Sequence, residues 1–238
     1  MHTIAFKNKQ EVAENTFLYT FSRPEGYVFD AGQYATVLFG KDALYQDARG
    51  NARAFSFASA PYEEDLGFMM RQSQTGFKKN IHVLKEGEMV SLSPAVGRCT
   101  LSYFKQQKKL IILTAGVGIT PIRSILRQII HTKAPLECLL FNSNRTPEST
   151  PELDWLERMN KEHDYITVVN MMTDMERAKL PWNGYTGYID QTFLEERIRD
   201  EAETNYFVVG ASGFIESMRK NLLNMAISEE KIFFDNFG

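Results

Sequence analysis

The stretch Leu110–Pro121 constrains the fold of this chain more than any other. Its four apolar residues, Leu110–Leu113, predict a buried parallel strand, because both faces of the run are apolar. The glycine turn Gly116-Val117-Gly118 follows, and we expect Thr120 to cap a helix that begins at Pro121. A glycine turn between a strand and a helix lets a phosphate reach unpaired backbone N–H groups. The stretch therefore predicts a nucleotide-binding site.

The rest of the second half alternates helical and strand patterns. After Pro121, apolar residues recur at the spacing of one buried helix face: Ile122, Ile125, Leu126, Ile129 and Ile130. Further apolar runs occupy Leu136–Phe141, Tyr165–Met172 and Tyr206–Val209. Strands that alternate with helices in this way indicate βαβ units around a parallel sheet.

The first half shows short strand patterns separated by glycines. Residues alternate in character along Phe17–Phe21, and Tyr34–Phe39 is rich in β-branched and aromatic side chains. Such segments predict an antiparallel barrel or sandwich. The polar linker Lys105–Lys109 separates the two patterns, so we predict one domain at residues 1–104 and a second at 105–238.

Composition and charge narrow the possible classes of function. A formal net charge of −3 gives no electrostatic support for binding nucleic acid. No run approaches the roughly 18 apolar residues of a membrane span. The segment Met1–Lys7 lacks the pattern of a signal peptide, so we expect a cytoplasmic protein. With 2 cysteines and 4 histidines, none at metal-ligand spacing, the chain is expected to hold no metal, and any redox chemistry requires an organic cofactor.

Two segments of the first half have residue types suited to a phosphorylated aromatic ligand. In Arg53-Ala54-Phe55-Ser56, an arginine that can bind phosphate and an aromatic ring share one face of a strand, and the serine hydroxyl can bond a ring nitrogen. Thr75-Gly76-Phe77-Lys78-Lys79 places two lysines at a predicted helix N-terminus, where a bound anion would stabilise them. The alternatives are an exposed arginine beside a core aromatic residue, and a solvated basic turn.

Four motifs, in sequence order, resemble those of the ferredoxin–NADP reductase superfamily. Ala31-Gly32-Gln33-Tyr34 resembles the family's Pro-Gly-Gln-Tyr/Phe turn, and Arg53–Ser56 is similar to its Arg-x-Tyr-Ser flavin motif. Gly116–Pro121 is similar to the Gly-x-Gly-x-x-Pro nicotinamide-nucleotide motif. Val209-Gly210-Ala211-Ser212-Gly213 stands where the family often has Cys-Gly. The resemblance extends over nearly the whole chain.

The resemblance implies an N-terminal antiparallel Greek-key β-barrel that binds FAD, followed by a Rossmann-like parallel-sheet domain that binds NAD(P)H. It implies that Arg53 binds the FAD pyrophosphate and that Phe55 lies against the isoalloxazine ring or the ribityl chain. Ser56 would form a hydrogen bond near flavin N5 and so take part in catalysis. The backbone of Gly76–Lys78 would hold the same pyrophosphate, and main-chain groups of Met69–Arg71 would line the pyrimidine edge of the flavin or the ribityl chain. The implied FAD contacts are thus Arg53, Ala54, Phe55, Ser56, Met69, Met70, Arg71, Gly76, Phe77 and Lys78. The implied contacts to the nicotinamide nucleotide are Gly116, Gly118 and Thr120.

The chain departs from the family's motifs at some positions. Phe55 lacks the hydroxyl of the family's tyrosine, and Val209 replaces a cysteine that lies near the nicotinamide in many relatives. Family members often end on an aromatic residue over the flavin. Phe237, or else Phe234, is therefore a candidate stacking residue, and the alternative is a terminal strand with core phenylalanines.

Residues after the second strand of the parallel sheet bear on the choice of nicotinamide cofactor. Ser143 and Arg145 follow the run Leu136–Phe141 and can bind a 2′-phosphate. Their presence favours NADPH over NADH, because an acidic residue at this place is typical of NADH binding. The alternative is that Arg145 only closes a loop.

The resemblance implies an NAD(P)H-dependent, FAD-containing reductase. A hydride passes from NAD(P)H to FAD, and electrons then leave to a separate acceptor. That acceptor is a protein such as ferredoxin or flavodoxin, or a small molecule, because the sequence contains no plant-type cluster motif. Two alternatives remain open: an NAD(P)H:flavin reductase that uses free flavin as its substrate, and a non-catalytic flavin-binding subunit of a larger complex.

Overall fold

The structure is a computed structural model that describes residues 1–199 and 203–237, and its contacts divide the chain into two units. The first unit comprises Met1–Ser102 together with Thr120–Thr132. The second comprises Tyr103–Ile119 together with Lys133–Gly238. A helix from the second half of the sequence therefore groups with the first half.

The first unit is built on one antiparallel sheet. Its elements are β1 (His2–Ala13), β2 (Thr16–Phe21), β3 (Tyr34–Leu38), β4 (Ala52–Ser56), β5 (Leu66–Arg71), α1 (Gly76–Val83) and β6 (Met89–Leu92), and the helical turn α2 (Leu101–Phe104) contains the point of division. The strand order is β4-β3-β6-β1-β2-β5, with the late strand β6 between β3 and β1 as in Greek-key arrangements. An antiparallel bridge between Phe57 and Phe68 joins the two ends of this order.

An aromatic core holds the first unit together. The ring of Phe68 lies 5.2 Å from that of Phe57 and 6.0 Å from that of Phe21, measured between centroids, and all three side chains are fully buried. Burying one such side chain contributes about 1.5–3 kcal/mol to stability. Helix α1 adds Phe77 and Ile81 to the same core, so the position of its N-terminus is fixed by packing.

A parallel sheet forms the second unit. Its elements are β7 (Lys109–Ala115), α3 (Ile119–Thr132), β8 (Glu137–Asn144), α4 (Leu153–Glu162), β9 (Ile166–Met172), β10 (Tyr185–Thr186), α5 (Gln191–Glu195), β11 (Thr204–Gly210), α6 (Ser212–Asn224) and β12 (Ile232–Asn236), although most of α3 groups with the first unit. The strand order is β10-β9-β8-β7-β11-β12, and every pairing is parallel. The predicted fold class, an antiparallel β domain followed by a parallel-sheet α/β domain, is confirmed.

The start of α3 differs from the prediction. A 3₁₀ turn occupies Gly116–Gly118, and α3 begins directly after it at Ile119. Thr120 is therefore inside the helix rather than capping it, and Pro121 is the third residue rather than the first. The 3₁₀ turn carries the chain from strand to helix without an extended residue between them. Pro121 still lies in the first turn, where its missing N–H leaves no intrahelical bond unmade.

Polar contacts attach α3 to the loop that follows β4. The Arg123 guanidinium donates to the backbone oxygen of Ala58 at 2.7 Å, and that of Arg127 contacts the Glu63 carboxylate at 3.0 Å. Arg123 is buried, so its bond to a carbonyl group satisfies a donor that would otherwise be costly to bury. These contacts join α3 to the loop after β4 within the first unit.

Neither a membrane-spanning helix nor a metal cluster is found in residues 1–199 and 203–237. The longest α-helix there, α3, has 14 residues, and none is both long and apolar enough to cross a bilayer. No group of three or more potential ligands converges on one point in these residues. Burial raises the pKa of the Cys138 thiol to about 12, so it stays protonated at neutral pH and is a poor nucleophile.

Candidate nucleotide-binding sites

Arg53 is held by a carboxylate and by backbone carbonyl groups. Along β4, Arg53 and Phe55 are half-buried while Ala54 between them is exposed, as the alternation of a strand requires. Arg53 Nη2 lies 2.6 Å from Asp47 Oδ1. Its Nη1 donates to the oxygens of Arg49, Gly50 and Ala52 at 3.0, 2.9 and 2.7 Å. The guanidinium also lies 5.5 Å from the centre of the Phe77 ring, which brings the two sequence motifs of the first half together.

The N-terminus of α1 binds the same carboxylate. The Phe77 N–H donates to Asp47 Oδ2 at 2.8 Å, whereas the side chain of Thr75, the residue before the helix, makes no capping bond. Hydrogen bonds from the backbone N–H groups of Phe77 and Arg49, with the Arg53 charge nearby, hold the pKa of Asp47 below its usual value. One anion therefore bridges the arginine and the helix N-terminus.

Lys78 and Arg71 meet at the edge of this cluster. Lys78 Nζ donates to the backbone oxygen of Arg71 at 2.6 Å. Burial lowers the pKa of Lys78. A burial cost of this kind is reduced when an anion binds nearby. The four residues implied to bind the FAD pyrophosphate, Arg53, Gly76, Phe77 and Lys78, thus lie in one cluster, and Arg71, implied to contact the flavin ring or the ribityl chain, lies at its edge.

Asp47 is the residue of this cluster that sequence reasoning missed. It lies in the loop between β3 and β4, and nothing in the sequence distinguishes it from Asp42 in the same loop. Only 4% of its side chain is exposed, whereas Asp42 is an exposed residue. No local pattern reveals the difference, because it arises from the folding of the loop over α1.

The remaining residues implied to contact FAD are buried to different degrees. Ser56 is 2% exposed, and Phe55 packs against the core with its ring 5.5 Å from that of Phe77. Met69 and Met70 on β5 are 3% and 2% exposed. Their side chains are thus committed to packing, so main-chain groups are what they offer a ligand, as the resemblance implies.

The glycine turn of the second unit is shaped by its packing. Gly116 has a φ of 58°, a conformation that favours glycine. A Cβ on Gly118 would lie 2.6 Å from Thr114 Oγ1 and 2.7 Å from the backbone oxygen of Val209. Glycine is therefore required at 118 because the turn packs directly on β7 and β11, whatever ligand approaches from the other side. Thr120 is buried, with 2% exposed.

Arg145 lines a cavity of about 470 Å³ beyond the carboxyl ends of β8 and β9. The cavity is also lined by Arg177, which sequence reasoning missed, and by Asp174 and Tyr188. Arg177 Nε lies 3.5 Å from Asp174 Oδ2, so one of the two guanidinium groups has an anionic neighbour. Ser143 is half-buried within β8 and does not line the cavity, so the structure does not bring the two predicted residues together there.

The C-terminal phenylalanines divide into core and non-core residues. Phe234 packs against the core of the second unit, as the alternative interpretation expects. Phe237 follows β12, is half-buried, and its N–H donates to the oxygen of Gly210 at 3.0 Å. Between them, Asp235 pairs with Val209 across the sheet, and burial raises its pKa to about 6. Sequence reasoning did not select Asp235, because its burial is not visible in the local pattern.

Residues 112–220 match the family described as Oxidoreductase NAD-binding domain. The chain is 26% identical over 212 residues to the Flavohemoprotein of Bacillus subtilis (strain 168), covering 88% of this chain and 52% of that protein. It is 26% identical over 221 residues to NADH-cytochrome b5 reductase 2 of Lodderomyces elongisporus, covering 90% of this chain and 72% of that protein.

A solved structure gives the fold over the whole chain. The ferredoxin NADP+ reductase from Neisseria gonorrhoeae with bound FAD and NADP has a TM-score of 0.81 at 22% identity, covering 99% of this chain and 98% of that chain. The resemblance to the ferredoxin–NADP reductase superfamily is confirmed. The motifs predict an NAD(P)H-dependent reductase that pairs FAD with NAD(P). This enzyme class and this pair of cofactors are typical of the superfamily. The chain spans about half the length of the Bacillus relative.

Proposed function

We propose that this chain is an NAD(P)H-dependent flavoprotein reductase that holds FAD in residues 1–104, binds the nicotinamide nucleotide in residues 105–238, and reduces a separate acceptor. The observation that carries the proposal is the match of residues 112–220 to an oxidoreductase NAD-binding domain. That match contains the turn Gly116–Gly118, while a distinct anion-binding cluster, around Arg53 and α1, lies in the other unit. Two nucleotide-type sites, one in each unit, suit a hydride donor and a flavin.

The residues around α1 fit the diphosphate of FAD. The Asp47 carboxylate stands in for a phosphate oxygen, because it bonds both the Arg53 guanidinium and the Phe77 N–H. Charge-assisted donors that bind a carboxylate also bind a phosphate. Arg53, the N-terminus of α1 and Lys78 would hold the diphosphate, with Phe55 and Ser56 next in line along β4.

The chain's own residues would position the reactants rather than transfer protons. Bound FAD supplies the redox chemistry, accepting a hydride and releasing electrons in pairs or singly. Ser56 at the end of β4 would bond the flavin ring near N5, and Gly116, Gly118 and Thr120 would hold the nicotinamide nucleotide. Phe237 is proposed to stack on the flavin, since Phe234 is occupied in the core.

We propose NADPH as the preferred donor. The support is the pair Arg145 and Arg177 beside one cavity, since two guanidinium groups suit the doubly charged 2′-phosphate. The carboxylates of Asp174 and Glu176 in the same lining oppose this preference. The proposed test is direct: R145A and R177A should each raise the KM for NADPH more than that for NADH.

The proposed acceptor is a separate protein such as ferredoxin or flavodoxin. The structural neighbour from Neisseria is named a ferredoxin NADP+ reductase, and a relative from Pseudomonas putida, at 25% identity over 215 residues, is the reductase component of a naphthalene dioxygenase system. A second candidate is an NAD(P)H:flavin reductase that exchanges its flavin. The occupation of the diphosphate donors by Asp47 favours it, because FAD must displace that carboxylate.

Anaerobic reduction tests the proposal. The purified chain, loaded with FAD, is titrated with NADPH and NADH in parallel, and the loss of flavin absorbance is recorded. Bleaching by NADPH, followed by reoxidation on adding ferredoxin or flavodoxin, is expected. A chain that does not retain the added FAD on purification but reduces free flavin would support the second candidate. A yellow protein inert to both nucleotides would instead indicate a non-catalytic flavin-binding subunit.

A further inference from the structure

The loop between β3 and β4 places a carboxylate on the donors proposed for the FAD diphosphate. Asp47 contacts Arg53 Nη2 at 2.6 Å and the Phe77 N–H at 2.8 Å. The exposed fractions of the Asp47 and Arg53 side chains are 4% and 18%. The contact is thus a shielded ion pair, in which charge attraction is weakened less by solvent than at the surface.

The same loop is fixed to α1 at a second place. The Tyr45 N–H donates to Asn80 Oδ1 at 2.8 Å, and Asn80 Nδ2 donates to the Tyr45 oxygen at 2.8 Å. Between the two anchors, the backbone oxygen of Gln46 lies so close to Gly76 that a Cβ there would overlap it. The segment Tyr45–Asp47 therefore covers the N-terminus of α1.

Charge explains why an anion belongs at this helix end. The first turn of α1 contains no acidic residue, and it carries Lys78 and Lys79 instead. Cations at a helix N-terminus are repelled by the positive end of the helix dipole. An anion bound there offsets both the cationic charges and the dipole. Asp47 supplies the negative charge that the turn itself lacks.

We propose that Asp47 is a built-in competitor for the flavin diphosphate, and so the residue that sets how tightly this chain holds FAD. The inference rests on the proposed function. The Phe77 N–H has a single hydrogen and cannot serve a carboxylate and a phosphate oxygen equally well at once. FAD must therefore move Tyr45–Asp47 away from α1, and the free energy of the lost contacts is subtracted from that of binding.

Competition at this point has a consequence for the enzyme. The loop keeps the cationic cluster satisfied whenever the flavin leaves, so FAD exchange does not expose unpaired buried charge. The flavin becomes exchangeable rather than permanently bound. An exchangeable flavin suits a chain that reduces free flavin as well as one that passes electrons to a protein.

The dissociation constant of FAD, measured by quenching of flavin fluorescence on the full chain, tests the competition. D47N keeps the size of the side chain and one accepting oxygen but removes the charge. We expect D47N to bind FAD about tenfold more tightly than the parent, the scale of one charge-assisted hydrogen bond. The matched control is D42N, an exposed carboxylate of the same loop, which should bind FAD as the parent does.

A second variant and a second ligand distinguish the loss of competition from a folding defect in D47N. N80S releases the other anchor of the loop without touching the ion pair, and it should also tighten FAD binding. Inorganic pyrophosphate should raise the melting temperature of D47N more than that of the parent. FAD binding that is equal or weaker in folded D47N and N80S would overturn the competition and leave the proposed function standing. An absence of FAD binding in parent and variants alike would overturn both.

Discussion

Arg53 is the residue on which the flavin assignment depends most. Its guanidinium links β4 to α1 through Asp47 and the Phe77 ring, so one side chain touches both motifs of the first unit. Arginine is suited to this place, because its planar group presents several donors in a fixed arrangement. A lysine would supply the charge but not the arrangement.

Replacement of Arg53 by alanine is expected to weaken FAD binding. A hydrogen bond between charged groups contributes about 1.5–3 kcal/mol, so the dissociation constant should rise by about tenfold to a hundredfold. Flavin fluorescence quenching measures the change. R49A is the matched control, since that residue is exposed and gives Arg53 only its backbone oxygen. An unchanged constant in R53A would remove Arg53 from the diphosphate site.

Asp235 should make the chain less stable as the pH rises. Its pKa is about 6 in the folded chain, against 3.8 ordinarily, because burial disfavours the charged form. Below pH 3.8 the carboxyl group is protonated in the folded and the unfolded chain, so it does not lower the free energy of unfolding. As the pH rises towards 6 the folded state releases this proton less readily, so stability falls and then stays lower above pH 6.

The variant D235N is therefore expected to raise the free energy of unfolding at pH 8 by about 1–2 kcal/mol, a value reduced for partial exposure. Near pH 4 the free energy of unfolding of D235N should exceed that of the parent only slightly. Urea unfolding at both pH values measures it, with E216Q, an exposed residue on α6, as the control. A gain of the same size at both pH values would show that packing rather than charge is responsible.

At the element scale, the turn Gly116–Gly118 is constrained from inside the second unit. Its sequence suggested that glycine is needed for a ligand to approach. The structure adds a packing requirement, because a Cβ on Gly118 would overlap Thr114 and the backbone of Val209. The turn is thus held between β7 and β11, and its geometry does not depend on a ligand.

Substitution of Gly118 by alanine is expected to destabilise the chain. The added Cβ would lie within 2.7 Å of two oxygen atoms, and such overpacking costs about 1–3 kcal/mol. A fall of several degrees in melting temperature should result. In G213A the new Cβ meets no atom within 4 Å, so this control should melt at the parent's temperature or slightly above it. Equal melting of both variants would contradict the packing role of Gly118.

At the scale of the whole molecule, the proposal requires two independent ligand sites. FAD at about 100 times its dissociation constant adds about 2.7 kcal/mol, which should raise the melting temperature by about 5–10 °C. NADP+ should give a separate shift. Because R53A should bind FAD about tenfold to a hundredfold more weakly, it should show about half of the FAD shift or less at the same FAD concentration, and it should retain the NADP+ shift. If both shifts shrink together in R53A, the two nucleotides do not bind at separate places.

Local patterns in the sequence were sufficient for the fold class and for the types of chemistry. The alternation along Phe17–Phe21 reflects the two-residue period of a strand, and the apolar spacing along Ile122–Ile130 reflects the 3.6-residue period of a helix. The continuous apolar run Leu110–Leu113 predicts a strand that is buried on both faces. The motifs at Arg53–Ser56 and Gly116–Pro121 are local as well. The start of α3 was predicted wrongly, because a 3₁₀ turn and a helix cap share the same residue types.

Contacts between segments far apart in the sequence were decided only by the tertiary structure. Nothing near Asp47 indicates that it will reach Phe77, thirty residues further on, nor that Arg177 will join Arg145 at one cavity. The contact of Arg123 with Ala58, by which α3 is joined to the first unit, is likewise one between distant segments. The physical reason is that periodicity specifies which face of an element is buried, whereas loop paths and packing specify what that face, and each buried charge, will meet.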